Sequence, residues 1–281
     1  MTTLAIPLPP PAARRIVAVL TAREASSRLA SVWFWLVATA TSLIAFAWGA
    51  GFQQAFVTES VLVTADPLMP LTILVVAFLG LVLGLRLATA LSGEREHRTL
   101  DVLLAGPVTW PSLVVAKLLA EVVVLAGLVG LLMAYLLLAQ PLGAGMLTVS
   151  DLRSLALAPL AALPLMAAGL AVSAWLSTVR GAVIAYLACI VLSAAFEAGL
   201  GVLQRANPAE MGLSALYARA ALETVSPVVA LLSPIRPIAE MIRLADAQEM
   251  PSAALWWQAL GLAAGYLALA LVAARIRGGR S

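Results

Sequence analysis

Six long apolar stretches alternate with shorter polar segments along the chain. They cover residues 31–52, 69–91, 111–139, 152–177, 181–203 and 255–274. A helix needs about 20 mostly apolar residues to cross the hydrocarbon core of a bilayer, and each stretch is long enough. Lipid offers no partner for backbone polar groups, so spanning runs of this kind form helices. The pattern therefore predicts six transmembrane helices, the fourth kinked at Pro159 and Pro164.

Composition places the chain among all-α, multi-pass membrane proteins. Of its 281 residues, 63% are hydrophobic and 11% are charged, whereas a soluble domain is about 45–50% apolar and about 25% charged. We treat residues 1–281 as a single transmembrane domain. The net charge of +3 is scattered along the chain, so no nucleic-acid partner is expected. The single cysteine, Cys189, excludes a disulfide framework within the chain and a multi-cysteine metal site.

The N-terminal region is expected to lie outside the bilayer core. The proline-rich residues 1–11 predict a disordered tail. In residues 12–30, Ile16, Val17 and Leu20 share one helical face and arginines supply cationic anchors, which predicts an interfacial helix on the membrane surface. The alternative is a solvated leader that affects only topology.

The distribution of basic residues predicts the orientation. With a cytoplasmic N-terminus, most arginines and the single lysine, Lys117, fall on the cytoplasmic side, and the first outer loop, 53–68, has no basic residue. The chain is therefore expected in the cytoplasmic (inner) membrane, with both termini cytoplasmic.

Residues 204–254 do not read as a simple loop. Apolar residues recur at i, i+3, i+4 and i+7 from Leu213 and again from Ile238, which predicts two short amphipathic helices. Arg219 and Glu223 argue against a span through the first of them. We expect an extracellular helical segment that lies on, or dips into, the outer leaflet. The alternative is an extracellular cap with no part in transport.

The most charged segment separates the second and third apolar stretches. Ser92 can cap a helix that begins at Glu94, and Gly106-Pro107 can end it, which predicts a short amphipathic helix over residues 93–106. Such a helix at the membrane surface is suited to contact a soluble partner. The predicted contact residues are Glu94, Arg95, Glu96, His97, Arg98, Thr99, Leu100 and Asp101.

This segment resembles the signature of ABC transporter permeases of the type-2 export family. That pattern has an acidic and basic stretch, G-T-L-E, a leucine pair, a proline, and G-K before the third span. The matching positions are Thr99, Leu100, Asp101, Leu103, Leu104, Pro107 and Lys117. Arg98 and Ala116 stand where the family usually has glycine. Leu232-Ser233-Pro234, the six-span order and the N-terminal helix resemble the family too.

The resemblance implies a permease subunit of an ATP-driven exporter. Two copies of a P-loop ATPase would bind the coupling helix, and a second permease copy, or a homologous partner, would complete the pathway among membrane lipids. ATP and Mg²⁺ would bind the ATPase. This chain itself has no G-x-x-x-x-G-K-[ST] motif, so no cofactor and no enzymatic activity are expected in it.

Two other functional classes are less consistent with the sequence. An ATP-independent carrier or channel usually has repeats or several buried ionisable groups, and here Glu197 is the one candidate, as a pathway residue. Its alternative roles are to reach lipid headgroups or to pair with Arg205. An intramembrane enzyme needs a nucleophile with a base or clustered acids, and the sequence has neither G-x-S-x-G nor H-E-x-x-H. No catalytic or metal-binding residue is predicted, and His97 is interpreted as a solvated surface residue.

Two further expectations concern the inner ends of the spans. Lys117 and Glu121 lie one helical turn apart and are expected to pair. Arg86 is expected to extend toward lipid phosphates.

Overall fold

The protein is helical throughout the part of the chain that the structure describes. The computed structural model describes residues 13–59, 68–97, 99, 108–139, 149–205 and 212–278, and within them contains no strand. The helices are α1 (Ala13–Leu29), α2 (Val32–Glu59), α3 (Leu68–Glu96), α4 (Trp110–Ala139), α5 (Val149–Leu157), α6 (Leu163–Trp175), α7 (Val179–Arg205), α8 (Leu213–Leu232), α9 (Arg236–Asp246) and α10 (Ala253–Gly278). The predicted tail, 1–11, lies outside the described residues.

Seven helical stretches in these ranges are long and apolar enough to cross a membrane. Six of them coincide with the predicted spans: α2, α3, α4, the α5–α6 unit, α7 and α10. The seventh is α8, a 20-residue helix in which no residue is buried. The sequence predicted a short helix here, on or dipping into the outer leaflet, and Arg219 and Glu223 argued against a span. The helix instead continues through Pro227 to Leu232.

The fourth predicted span is interrupted where its prolines lie. A 3₁₀ turn, Ala158–Ala162, separates α5 from α6 and has Pro159 in its first turn. Pro164 lies in the first turn of α6, where the missing proline N–H removes no intrahelical hydrogen bond. The two prolines therefore lie where regular α-helical hydrogen bonding is interrupted in this span.

Helix α3 lies at the centre of the bundle and packs against α6 and α7. The contact is closest at Gly84, Gly169 and Tyr186. A Cβ atom at Gly169 would overlap the carbonyl oxygen of Gly84, and one at Gly84 would overlap the Tyr186 hydroxyl. A Cβ at Gly80 would lie 3.0 Å from Leu165 Cδ1. Gly80 and Gly84, one helical turn apart, therefore permit the close approach of α6 and α7, whereas Gly130 of α4 has nothing within 4 Å of its Cβ position.

Helix α3 also extends further than predicted. Ser92 does not cap a new helix. It lies inside α3, fully buried, and its hydroxyl donates to the Ala88 carbonyl. Gly93 to Glu96 complete the same helix. Of the rest of the predicted coupling helix, 93–106, only His97 and Thr99 are among the described residues.

The two ends of the bundle differ, and we name them by their residues. At the charged end, α3 ends at Glu96 and α4 begins at Trp110. At the Trp256 end, α3 and α10 begin, and Trp256 lines a shared small cavity with Met69 and Met241 of α9.

The turn between α8 and α9 is set into the bundle below the Trp256 end. The Tyr266 hydroxyl, halfway along α10, donates to the Leu232 carbonyl at the end of α8. Helix α9 then returns along α3 toward the Trp256 end. The segment therefore has the two helices that were predicted, and the turn between them reaches well below the end of the bundle.

Candidate functional site

Helix α1 lies alongside α4 at the charged end, and both run in the same direction. The Thr21 hydroxyl is 3.5 Å from the Ala116 carbonyl oxygen. About two turns further along α1, and three along α4, Leu29 lies against Gly127. On this helix, Glu24 and Arg28 face α3 and α4, whereas Arg14, Arg15 and Arg23 are exposed. Arg28 therefore pairs within the chain and is not the lipid-facing anchor that the sequence predicted.

A first ion triad joins Glu24 of α1, Lys117 of α4 and Glu94 of α3. The Lys117 Nζ atom is 2.6 Å from Glu94 Oε1 and 3.4 Å from Glu24 Oε1. Only 5% of the lysine side chain is exposed. A buried ammonium group must be paired to be tolerated, and here two carboxylates from two other helices pair with it.

A second ion triad has the opposite arrangement of charge. Glu121 of α4 is fully buried, and its Oε1 atom lies 2.8 Å from Arg28 Nη1 of α1 and 3.2 Å from Arg86 Nε of α3. No donor in the described residues reaches either carboxylate oxygen in hydrogen-bond geometry, so these contacts are ion pairs without directed bonds. The Arg86 guanidinium also lies 4.3 Å from the ring centre of Trp33.

The two triads are connected and together are neutral. Arg28 Nη2 donates to Glu24 Oε2 at 2.5 Å, one helical turn along α1. We call the six residues the ion-pair network: Glu24, Arg28, Arg86, Glu94, Lys117 and Glu121. Removing one member of a buried ion pair costs about 3–5 kcal/mol, because the partner charge stays buried. The network therefore holds α1, α3 and α4 in one register.

The end of α3 also holds the turn between α6 and α7. The Arg95 guanidinium donates to the carbonyls of Ser173, Ala174 and Leu176, where α6 ends, at 2.9–3.3 Å. Glu96 Oε2 accepts the Val179 N–H, where α7 begins, at 3.0 Å. The cation lies at the partly negative C-terminus of α6 and the carboxylate at the partly positive N-terminus of α7, so both interact favourably with the helix dipole. Both also bond to backbone groups that have no partner in their own helix.

The structure separates the predicted partner contacts into two groups. Glu94, Arg95 and Glu96 bond within the chain, to the elements described above. His97 and Thr99 are exposed. The remaining predicted contacts, Arg98, Leu100 and Asp101, lie outside the described residues.

Sequence reasoning missed most of the ion-pair network. The expected Lys117–Glu121 pair is not the contact formed, and Arg86 pairs with Glu121 instead of extending to phosphates. A signal was present in the spacing. Glu24 and Arg28 lie four residues apart, as do Lys117 and Glu121 in reverse order of charge. When two helices with these patterns lie parallel and in register, opposite charges face each other at both positions: Glu24 meets Lys117, and Arg28 meets Glu121.

The predicted pathway residue, Glu197 of α7, lies toward the Trp256 end. Its Oε2 atom accepts a hydrogen bond from Arg236 Nη1 of α9 at 2.7 Å. The side chain of Arg205, the partner considered from the sequence, lies outside the described part of the chain. Glu197 Oε1 and the Ser233 hydroxyl are buried and have no hydrogen-bond partner among the described residues. This pair is the ionic link between α7 and the inserted α8–α9 turn.

The fold defines the class of protein: an integral membrane protein of many apolar helices, in which buried ion pairs join neighbouring helices. Within the described ranges, no group of three His, Cys, Asp or Glu residues is placed to hold a metal ion. Residues 18–277 match the model of the ABC-2 family transporter protein. The chain therefore belongs to the ABC-2 family and is a multi-pass ABC transporter permease, a transport component and not itself a catalyst. No curated protein matches the sequence.

Proposed function

We propose that this chain is the membrane-spanning subunit of an ATP-driven exporter, and that a separate P-loop ATPase supplies the energy. Family membership supports this assignment, since ABC-2 permeases generally work with an ATPase partner. The sequence supports it as well, because no phosphate-binding loop motif is present. ATP and Mg²⁺ would accordingly bind the partner.

The ATPase would dock at the tip of α3 and the segment that follows it. His97 and Thr99 are exposed there, and Arg98, Leu100 and Asp101 belong to the same predicted contact. Glu94, Arg95 and Glu96 have a different role in this proposal. They tie the tip to α4, α6 and α7.

The observation that carries the proposal is this set of links at the tip of α3. A push on an isolated helix end would bend that helix alone. Here the ion-pair network and the two helix-end contacts oblige α1, α4, α6 and α7 to follow α3. The closing of an ATPase dimer on ATP binding would thus be passed into the bundle, through the close crossing at Gly84 and Gly169.

Distances along α3 support a position for the network at the membrane boundary. From Leu68 to Arg86, α3 rises about 27 Å, close to the hydrocarbon thickness of about 30 Å. The second ion triad would then lie at the boundary, and the first triad about 6 Å beyond it, by the four-residue spacing of Lys117 and Glu121 along α4. The basic residues predict that both termini are cytoplasmic. The charged end would then lie on the cytoplasmic side of the inner membrane.

The proposed pathway lies between two permease copies. Helices α7 and α8 leave large apolar side chains exposed, among them Val191, Leu192 and Leu231. Glu197 lies on α7, and its unpartnered oxygen could contact a polar group of the cargo as it passes. Two ATPase subunits would serve such a pair.

Co-purification tests the docking site. His97→Glu puts a carboxylate at an exposed position of the proposed contact. Because a charge with no complementary partner in an interface is costly, we expect the ATPase that co-purifies to fall by about tenfold. Ala247→Glu adds the same charge at an exposed site on the other end of the molecule and should leave association unchanged. Equal ATPase recovery from both variants would show that the tip is not the docking site. Transport that persists without any ATPase would favour the ATP-independent carrier.

Labelling tests the orientation. In a Cys189→Ser background, a cysteine at Thr99 should resist a membrane-impermeant maleimide added to intact cells, and one at Ala247 should react. The reverse pattern would invert the topology and exclude a cytoplasmic ATPase at the tip.

A further inference from the structure

A second feature of the protein, at the Trp256 end, is not needed for the proposed energy coupling. A cleft of about 480 Å³ opens between α5 and the start of α10. Its lining is Arg153, Ser154, Leu157, Met250, Pro251, Ala253 and Trp256. A second, small cavity of about 20 Å³ shares four of these residues and reaches α3 and α9. The larger cleft falls within the range of about 300–1,000 Å³ that is typical of sites for small organic ligands.

The lining of the cleft has one charged residue. Arg153 is exposed, and it forms no ion pair with a described residue. The lining contains no carboxylate, and apart from the Ser154 hydroxyl its remaining side chains are apolar or aromatic. A single cation above apolar walls matches a ligand with one anionic group and an attached hydrocarbon chain. A free anion would gain little from Leu157, Met250 and Trp256.

The cleft also lies at the depth of lipid headgroups. It borders the first residues of α10, and the small cavity beside it borders Leu68 and Met69, the first residues of α3. Both helices are long enough to span a bilayer, so their first residues lie near its surface. Trp256 and Trp257 are at the same level, where tryptophan is enriched in membrane proteins.

We propose that this cleft binds an anionic membrane lipid, with the phosphate at Arg153 and the first part of an acyl chain against Leu157, Met250 and Trp256. A bound lipid would fill the open side of the α5–α10 contact. It would also lie within reach of the α9 helix through Met241, which lines the adjoining cavity. The assignment is independent of ATPase docking at the other end.

Lipid binding can be measured on the full chain by native mass spectrometry in detergent, with phosphatidylglycerol or phosphatidylcholine added. Arg153→Gln should weaken phosphatidylglycerol binding about five- to tenfold, the usual effect of losing one charge-assisted contact. Arg153→Lys should retain most of the binding. Arg243→Gln is the matched control, since it removes an exposed arginine from the same end of the molecule.

A second variant tests the apolar wall without a change in charge. Leu157→Trp should narrow the cleft and weaken phosphatidylglycerol binding as well. Gel filtration and a thermal melt establish that each variant is folded. The proposal is overturned if Arg153→Gln retains phosphatidylglycerol like the wild type, if it loses phosphatidylcholine to the same extent, or if inorganic phosphate displaces the lipid.

Discussion

The charged end and the Trp256 end of this permease are built from the same kind of apolar helix, but they are held together differently. At the charged end, six ionisable side chains join α1, α3 and α4, and Arg95 and Glu96 fix the α6–α7 turn. At the Trp256 end, the helices that the structure describes are joined by one ion pair, Glu197–Arg236, between α7 and α9, and α8 buries no residue.

The difference shows how register is specified in an apolar bundle. Leucine and valine faces pack acceptably in several registers, because lipid is as apolar as a neighbouring helix. Charges of opposite sign on facing helices allow one register, since a slip leaves a buried ion unpaired. The end with the network is therefore expected to move as one unit, whereas the end without it can rearrange.

The largest effect is expected from Glu121→Gln. The change leaves Arg28 and Arg86 facing each other without the buried carboxylate between them. We expect a loss of about 3 kcal/mol in stability, at the lower end of the range for a broken buried pair, because Arg86 is partly exposed. Thermal unfolding in detergent measures the loss. A melting temperature equal to that of the wild type would mean that the network does not hold the charged end.

Next in size is the helix crossing in the centre of the bundle. Gly169→Ala forces a methyl group into the Gly84 carbonyl, and overpacking of this kind costs about 1–3 kcal/mol. Gly199→Ala in α7 is the matched control, since nothing lies within 4 Å of its Cβ position. That change should be neutral or stabilising by up to about 1 kcal/mol, from helix propensity. Equal melting temperatures for the two variants would contradict the crossing.

A smaller effect is expected from Glu197→Gln at the Trp256 end. Arg236 keeps a neutral acceptor and is partly exposed, so the loss should be about 1 kcal/mol. The informative measurement is the transport rate together with the melting temperature. If Glu197 contacts the cargo, the transport rate should fall more than the small loss of stability accounts for. Unchanged transport would leave it a structural residue.

The smallest effect is expected from Arg219→Gln on α8. Its partner Glu223 is exposed, one turn along the same helix, and such pairs contribute about 0.3–0.5 kcal/mol. A large loss of stability would show that α8 is buried, for example against a second permease copy. It would thereby weaken the contrast between the two ends.

Prediction from sequence succeeded where a local rule applies. The apolar stretches predicted six helical spans that the structure contains, and Pro159 and Pro164 lie where a 3₁₀ turn interrupts the fourth. It failed at Ser92, because a serine before two acidic residues has the same pattern whether it caps a helix or is buried inside one. In the structure, the Ser173 hydroxyl of α6 accepts hydrogen bonds from the backbone N–H groups of Leu91 and Ser92, so α3 passes through this point buried against α6.

The sequence by itself determined that this is a multi-pass membrane protein, and the motif around Thr99 and Lys117 indicated its family. Those properties follow from the length of apolar runs and from residues adjacent in the chain. Only the tertiary structure decided which charges meet. Glu24 and Lys117 lie far apart in sequence, and they pair because α1 and α4 pack side by side with their ionisable residues at the same height. A pairing of that kind depends on the relative position of two helices, which no local pattern specifies.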